Sequence, residues 1–500
     1  MLVAGAADML YSLAGGQAQG GLDGCSRRVI VGSGYILSRR SARLLSILDI
    51  AERTQKGPRM DENAWNMGHF RKVSELVARY EIPKYTPGMP FLNVDDRLPE
   101  RAFKAGVDLL VEQGVYCITT GRVVEFSREE VLAAVRQSPN EVAVGEGRDA
   151  RVMRQREVEG KEPLNFCPGH HSPFTEALAP LVVKNFAQIP RTDFIEGFNF
   201  TEVDGREIVG MPMEVYAARR QMAWMREGIR KAGRPGLAVV FYPITTRAAV
   251  LISTMDATSG LRRGDGILTS VLPDLKIEHD LLAAAVACED YGCWRISGSF
   301  SMAGGFCGGA DGAIVEGVAK PLTAMLAYRA YVNYTGVEHV GTVSALSIPL
   351  QPLNWARSVV DQALNRYSNI ICMAWVIPTS GPGTETNLLE VAIRSIEATI
   401  NGANLYAPRH SRARMNAGQT PLEAEFMVEV SDATLRAALD RGRGSELLGK
   451  LARMLEGRQP EPGMSIQECY DLVNHRPKPE YERIYLGVKE RLASLGLLFP

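Results

Sequence analysis

The sequence predicts an α/β fold built on a parallel sheet, and three observations carry that reading. From about Pro163 onward, strand-like apolar runs alternate with helix-period segments, which is the mark of a parallel α/β domain. Residues 237–241 are continuously apolar, as a strand covered on both faces should be. A helix predicted over residues 212–229 precedes that run and is stopped by Gly233, because glycine takes the left-handed C-terminal position without a Cβ clash. Arg234-Pro235-Gly236 is then the turn, and Tyr242-Pro243 ends the strand.

Composition narrows the class. A length of 500 residues suits two domains or one large barrel with insertions. A hydrophobic share of 46% and a charged share of 23% are ordinary for a globular protein. The formal net charge is -1 with no basic block, which argues against nucleic acid as a partner. Cys25, Cys117, Cys167, Cys288, Cys293, Cys307, Cys372 and Cys469 are scattered, form no Cys-x-x-Cys pair and read as reduced thiols. No apolar run reaches the roughly 18 residues of a membrane span. The first residues lack a basic stretch ahead of their apolar ones, so no signal peptide is expected. A cytoplasmic enzyme is the expectation.

Taken in order, residues 1–44 are rich in glycine and alanine, with Arg39, Arg40 and Arg43 as a short basic cluster. They are expected to be a poorly ordered extension, and residues 45–500 a single domain. Helices are predicted over 64–80 and 99–113, then a hairpin from 115–119 and 122–126. Ser127-Arg-Glu-Glu130 is a capping box opening the helix to Arg136. Gly145-Glu-Gly-Arg-Asp-Ala150 reads as a tight turn with a structural Arg–Asp pair, since no Gly-x-Gly-x-x-Gly follows. Further helices are predicted over 175–185, 212–229, 278–291, 312–331, 355–365 and 385–400. Strands are predicted over 236–241, 249–254, 266–270, 293–299, 337–344 and 370–376. From Thr420 the pattern turns helical, over 423–429, 434–440, 445–455, 465–473 and 479–495, as decorations of the α/β domain or subunit contacts.

Several separated motifs resemble, in order, those of the monomethylamine methyltransferase family. They are Gly114-Val-Tyr-Cys117, the Gly145–Ala150 turn, Ala232-Gly-Arg-Pro-Gly236, Gly304-Gly-Phe-Cys-Gly-Gly309, Pro378-Thr-Ser-Gly-Pro-Gly-Thr-Glu385, Gln467-Glu-Cys-Tyr-Asp471 and the ending 492–499. The likeness runs from about residue 45 to the end. It implies a TIM (β/α)8 barrel with extra N-terminal and C-terminal helices. It also implies a corrinoid-dependent methyltransferase of EC 2.1.1 type, with its corrinoid (cobalamin) on a partner protein and none held tightly in this chain, assembled as a homo-oligomer, in the expected form a hexamer.

The resemblance also shows what differs. The family carries pyrrolysine a few residues after Ala-Gly-Arg-Pro-Gly. Counting forward from Gly236 puts Val240 there, and counting back from Pro243 puts Phe241 there. The family's glutamine and tyrosines before Pro-x-x-Gly-Pro become Trp375, Val376 and Ile377. Its acidic residues fall near Gly298 and Leu268, with no carboxylate. The implied pocket has lost pyrrolysine and its polar neighbours together and become aromatic and drier. Its candidate substrate-binding residues are Val240, Phe241, Tyr242, Gly298, Phe300, Trp375 and Ile377, with Phe306 a further aromatic. Aromatic faces attract methylated ammonium ions by about 0.5–2 kcal/mol per ring. The competing reading is that Trp375 and Phe241 fill volume.

The expected reaction moves a methyl group from a small N-methylated compound, quaternary amines included, to Co(I) of a corrinoid protein. No catalytic residue and no metal ligand is assigned. Two alternatives stand beside it: zinc-dependent transfer from an O- or S-methyl donor, and a non-catalytic relative that binds a methylated ligand or the corrinoid protein. Cys167 with His170-His171, or Cys307 with Cys372, are the zinc candidates, although their spacing matches no standard site. Glu338-His339 offers a carboxylate beside a base, but strand neighbours point to opposite faces. Asp311 and Glu316 are pocket or docking carboxylates, and Glu385 caps a helix after Thr384.

Overall fold

The protein is described from a computed structural model over residues 45–169, 173–241, 245, 247–339, 351–411 and 416–500. Eight short strands run parallel in one sheet: β1 Phe166–Cys167, β2 Phe194–Glu196, β3 Ala238–Phe241, β4 Gly266–Ser270, β5 Trp294–Gly298, β6 Val332–Thr335, β7 Ile371–Trp375 and β8 Asn404–Tyr406. From β2 to β8 each pairs with the next, and β8 returns to β1 through Leu405↔Phe166 and Tyr406↔Cys167. Backbone bonds from Asp193 N to Phe166 O (2.9 Å) and from Glu196 N to Pro168 O (3.5 Å) join β1 to β2. One helix follows each strand: α1 Ala179–Gln188, α2 Gly210–Lys231, α3 Ala248–Ser253, α4 His279–Tyr291, α5 Ala310–Tyr328, α6 Gln351–Tyr367, α7 Glu385–Asn401 and α8 Pro421–Arg436. This is the eight-fold barrel that the family resemblance implied.

Register separates the residues that fill the barrel from those that face the helices. Glu196, Val240, Gly266 and Trp294 lie side by side on β2 to β5. This row faces inward, because Trp294 meets Phe194 edge-on at 5.3 Å across the barrel. A Cβ on Gly266 would sit 2.7 Å from the Trp294 ring, so glycine there makes room for the indole. Since successive side chains alternate, Thr335 of β6 faces outward and donates its hydroxyl to Asp361 of α6 at 2.8 Å.

The barrel floor explains two of the motifs. Asp149 Oδ2 accepts from Gly236 N (3.0 Å), and Arg234 Nε donates to Asp149 Oδ1 (3.3 Å). Glu146 N donates to Gly236 O, and Gly145 N to Gly264 O, both at 2.8 Å. The structural Arg–Asp pair is therefore Arg234–Asp149, not Arg148–Asp149; Arg148 instead donates to Gly233 O. The two motifs clamp the entrance of β3. Beside them Asp265 accepts from Val239 N (2.7 Å) and Arg262 N (2.6 Å) and pairs with Arg226 of α2.

An N-terminal layer of helices, Ile47–Lys56, Glu62–Arg79, Leu98–Glu112 and Arg128–Gln137, covers one side. The last begins at the expected capping box, with Glu130 N donating to Ser127 Oγ (3.2 Å) and Ser127 N to Glu130 Oε2 (2.9 Å). Leu98–Glu112 lies close on α5: a Cβ on Gly106 would be 2.5 Å from Val318 Cγ1. The expected hairpin, Val115–Cys117 with Arg122–Val124, adds a parallel pairing to Lys276–Ile277.

Several expectations are corrected. Residues 249–254 fall in helix α3 and its C-cap, not in a strand; short apolar runs do not distinguish the two, and within the helix only Val250 and Leu251 are buried. The helix predicted to Tyr331 ends at Tyr328, because Arg329 takes the left-handed conformation (φ +51°), and β6 starts at Val332. The strand predicted at 337–344 is not a barrel strand: Val337–His339 pairs with Ser301–Ala303, and the remainder lies outside the described residues. The helices predicted at 423–429 and 434–440 are one helix, α8, which ends at Arg436 and belongs to the barrel rather than decorating it. Residues 465–473 hold only Ile466–Cys469 and half of a hairpin, whereas Arg441–Leu455 and Pro479–Ser494 are the true additions. The 1–44 extension lies outside the described residues. No helix among the described residues is long and apolar enough to cross a membrane.

Candidate active site

Among the described residues, four aromatic rings and one carboxylate line the C-terminal end of the barrel. Tyr334 of β6 and Tyr406 of β8 stack face to face, centroids 3.7 Å apart, although β7 lies between their strands. Trp375, which ends β7, tilts against Tyr406 at 6.0 Å and against Phe300 at 5.3 Å. Tyr334 Oη donates to Glu196 Oε1 at 3.2 Å, and Glu196, ending β2, is fully buried. A Cβ on Gly169 would lie 2.8 Å from Tyr406 Cε2 and 3.1 Å from Glu196 Oε2, so glycine after β1 lets ring and carboxylate approach. Gly298 offers similar space: a Cβ there would come 3.1 Å from Ser270 Oγ and 3.8 Å from the Phe300 ring.

Behind this wall lies a buried charge network between strands and helices. Arg357 donates to Glu338 Oε2 (2.8 Å) and Asn354 Oδ1 (2.7 Å), and Arg394 pairs with Glu397 (2.7 Å). Burial pushes the carboxyls of Glu338, Asp361 and Glu397 upward, against the pull of the two guanidiniums. Arg394 Nε also donates to the Trp375 backbone carbonyl at 3.4 Å. The loop after β7 is held by Glu390 of α7, whose carboxylate accepts from Thr379 N (2.8 Å), Ser380 N (3.0 Å) and the Thr379 hydroxyl.

The family model for monomethylamine methyltransferase MtmB matches residues 45–497. The chain belongs to the monomethylamine methyltransferase family. It is 28% identical over 459 residues to MtmB1 of Methanosarcina barkeri, covering 90% of this chain and 98% of that one. It is 28% identical over 462 residues to MtmB2 of Methanosarcina acetivorans, with the same coverage. The crystal structures of the M. barkeri monomethylamine methyltransferase and of a hydroxylamine MtmB complex each superpose with a TM-score of 0.83. Both are 27% identical and cover 93% of this chain and all of theirs. Family membership makes this chain a methyltransferase by class.

In this member of the monomethylamine methyltransferase family the sequence candidates separate by strand parity. Val240 lies in the inward row beside Glu196, whereas Phe241, one residue on, falls in the row that faces the helices. Phe241 is therefore corrected from pocket wall to packing, and it is fully buried. Gly298, Phe300 and Trp375 come together at the mouth, and Ile377 is buried just beyond β7. Tyr242 lies outside the described residues, as do His170 and His171. Phe306 is 38% exposed.

Glu338 is committed to Arg357. Cys372 pairs in register with Asn333, next to Thr335, and so faces outward, away from the pocket. Cys167 is buried, and burial with the nearby Glu196 charge pushes its thiol up. The cap of α7 is Thr384, which accepts from Asn387 N, rather than the expected Glu385, which sits in the first turn and pairs with Arg491 and Arg458.

Sequence reasoning missed Glu196, Tyr334 and Tyr406. Their strands are three or four residues long, too short to show a period. The pocket is thus not wholly apolar, because Glu196 supplies a buried carboxylate where the motif comparison found none.

Proposed function

We propose that this methyltransferase moves a methyl group from a small N-methylated compound, a quaternary amine in its favoured form, to Co(I) of a partner corrinoid protein, without pyrrolysine. The observation that carries this reading is Glu196 at the base of the Tyr334–Tyr406–Trp375–Phe300 wall. A quaternary ammonium has no N–H to donate, so it is recognised by π faces and charge. Each ring adds about 0.5–2 kcal/mol. A carboxylate about 5 Å away adds about 3 kcal/mol at the effective dielectric of a protein site. Val240, inward and beside Glu196, offers neither nucleophile nor electrophile, so the donor is held non-covalently.

The transfer then needs alignment rather than acid–base chemistry. The C–N bond breaks with its electron pair staying on nitrogen, and a neutral amine departs. The cobalt electron pair forms the new bond to carbon, and no proton moves. The chain's contribution is to hold the methyl group in line with the incoming cobalt.

The test follows methylation of Co(I) cobalamin by ultraviolet–visible spectroscopy with tetramethylammonium, trimethylamine and a neutral isostere. Calorimetric binding to wild type, Trp375→Ala and Glu196→Gln runs alongside. Trp375→Ala should weaken the quaternary ligand by about 5–30-fold, the scale of a desolvated cation–π contact, and spare the neutral one. Equal losses for charged and neutral ligands would overturn the cation reading. Binding without methylation from any donor would favour a non-catalytic relative.

A further inference from the structure

Near Phe300, the helix Glu62–Arg79, the loop after β4 and α5 converge. His69, Asp274 and Glu316 meet there, with one ligand atom from each within 4.8 Å of the others. His69 is fully buried, and its Nδ1 lies 3.1 Å from Gln113 Oε1. With Nδ1–H donating to that amide oxygen, Nε2 presents a lone pair. Nε2 has no hydrogen-bond partner and lies 3.5 Å from Glu316 Oε2, itself without one. In that tautomer an acceptor faces an acceptor, at a separation too long for a good hydrogen bond.

The same separation suits a shared cation. Two ligands of a tetrahedral zinc with bonds of about 2.1 Å are about 3.4 Å apart. The other Glu316 oxygen is already engaged: it accepts from Asp274 N at 3.2 Å and lies 3.9 Å from Lys320 Nζ. Asp274 is fixed by that bond and by Trp65 Nε1, which donates to its carbonyl at 2.8 Å, and it holds a left-handed backbone (φ +60°). A histidine whose second ring nitrogen is oriented by a carbonyl is the usual support of a metal ligand.

We propose that His69 Nε2, Glu316 Oε2 and a carboxylate oxygen of Asp274 bind one divalent first-row transition metal, leaving a fourth position open. The site pins the N-terminal layer to α5, whose Lys320 Nζ stands 5.8 Å from the Phe300 ring. It is independent of the methyl donor.

The test uses the full chain, stripped with chelator and titrated with Zn(II) alone, with metal content measured after dialysis and thermal melts run in parallel. One zinc per chain and a higher melting temperature are expected. His69→Ala should abolish both, and Gln113→Ala should weaken binding by about 10–100-fold, as loss of an orienting partner does. Lys320→Met guards against a misfolded ligand variant: removing the neighbouring cation should tighten zinc by about tenfold or more. Absence of zinc in wild type would overturn the proposal. So would unchanged or weaker binding in Lys320→Met, or zinc retained by His69→Ala.

Discussion

Glu390 makes the loop after β7 sensitive to pH, and the size of the effect follows from its surroundings. The residue is 1% exposed. Burial, aided by the Glu461 charge, outweighs three hydrogen bonds and raises its carboxyl from 4.5 to about 7. The folded protein therefore binds this proton more tightly than the unfolded chain does. The stabilisation is fully present below about pH 4.5, is lost as pH rises through about 7, and stays flat above. A shift of about 2.5 units corresponds to about 3 kcal/mol. Glu390→Gln isolates the term. Its amide oxygen can accept from Thr379 N and Ser380 N, and its NH2 can donate to the Thr379 hydroxyl, so the bonds survive without an ionisable group. The assay is denaturant unfolding of both proteins from pH 5 to 8. Stability of wild type relative to the variant should fall by about 2–3 kcal/mol across that range. Taking the difference cancels the other buried carboxyls. A difference that does not change with pH, or a variant less stable than wild type at pH 8, would refute the reasoning.

Three further outcomes are expected. Trp375→Ala should cost the fold less than the roughly 3–5 kcal/mol of a full core truncation, because the ring is only partly buried; a thermal melt showing a full core loss would mark Trp375 as filler. The chain should transfer no methyl group from monomethylamine to Co(I) cobalamin, since Val240 cannot form a covalent adduct with it; appreciable transfer, read spectroscopically, would refute this. Light scattering should give a homo-oligomer, a hexamer in the expected form, and a mass of 54.7 kDa at micromolar concentration would count against it.

What was legible in the sequence followed from length and from local stereochemistry. β4, β5 and β7 run five residues each and showed as apolar runs, and α4, α6 and α7 showed by their period. The Ser127 cap was readable because a hydroxyl three residues ahead of a backbone N–H is a local matter. β1, β2 and β8, of two or three residues, were not readable; they become strands only because the rest of the barrel supplies partners. The site divides in the same way. Trp375 was found by its distance from a motif, whereas Glu196, Tyr334 and Tyr406 are brought together by closure of the barrel, which no local pattern reports.

The motif that most resembles the family does its work at the opposite end of the strand from the chemistry. Gly236 lies against Glu146 so closely that a Cβ would be 2.2 Å from its carbonyl oxygen, and Asp149 binds both Gly236 N and Arg234. These contacts fix where β3 begins, and period-2 alternation carries the setting to its far end. A slip of one residue would reverse every side chain, turning Phe241 toward Glu196 and Val240 toward the helices. Counting along the sequence could not choose between the two, because it carries no parity. The clamp chooses Val240, the smaller side chain. In the proposed reading this choice has a chemical consequence. A phenyl ring beside Glu196 would occupy the volume a donor needs, whereas valine leaves that volume open but offers no covalent handle. The donor must then be held by charge and π contacts, the forces that Glu196, Tyr334, Tyr406 and Trp375 are placed to supply.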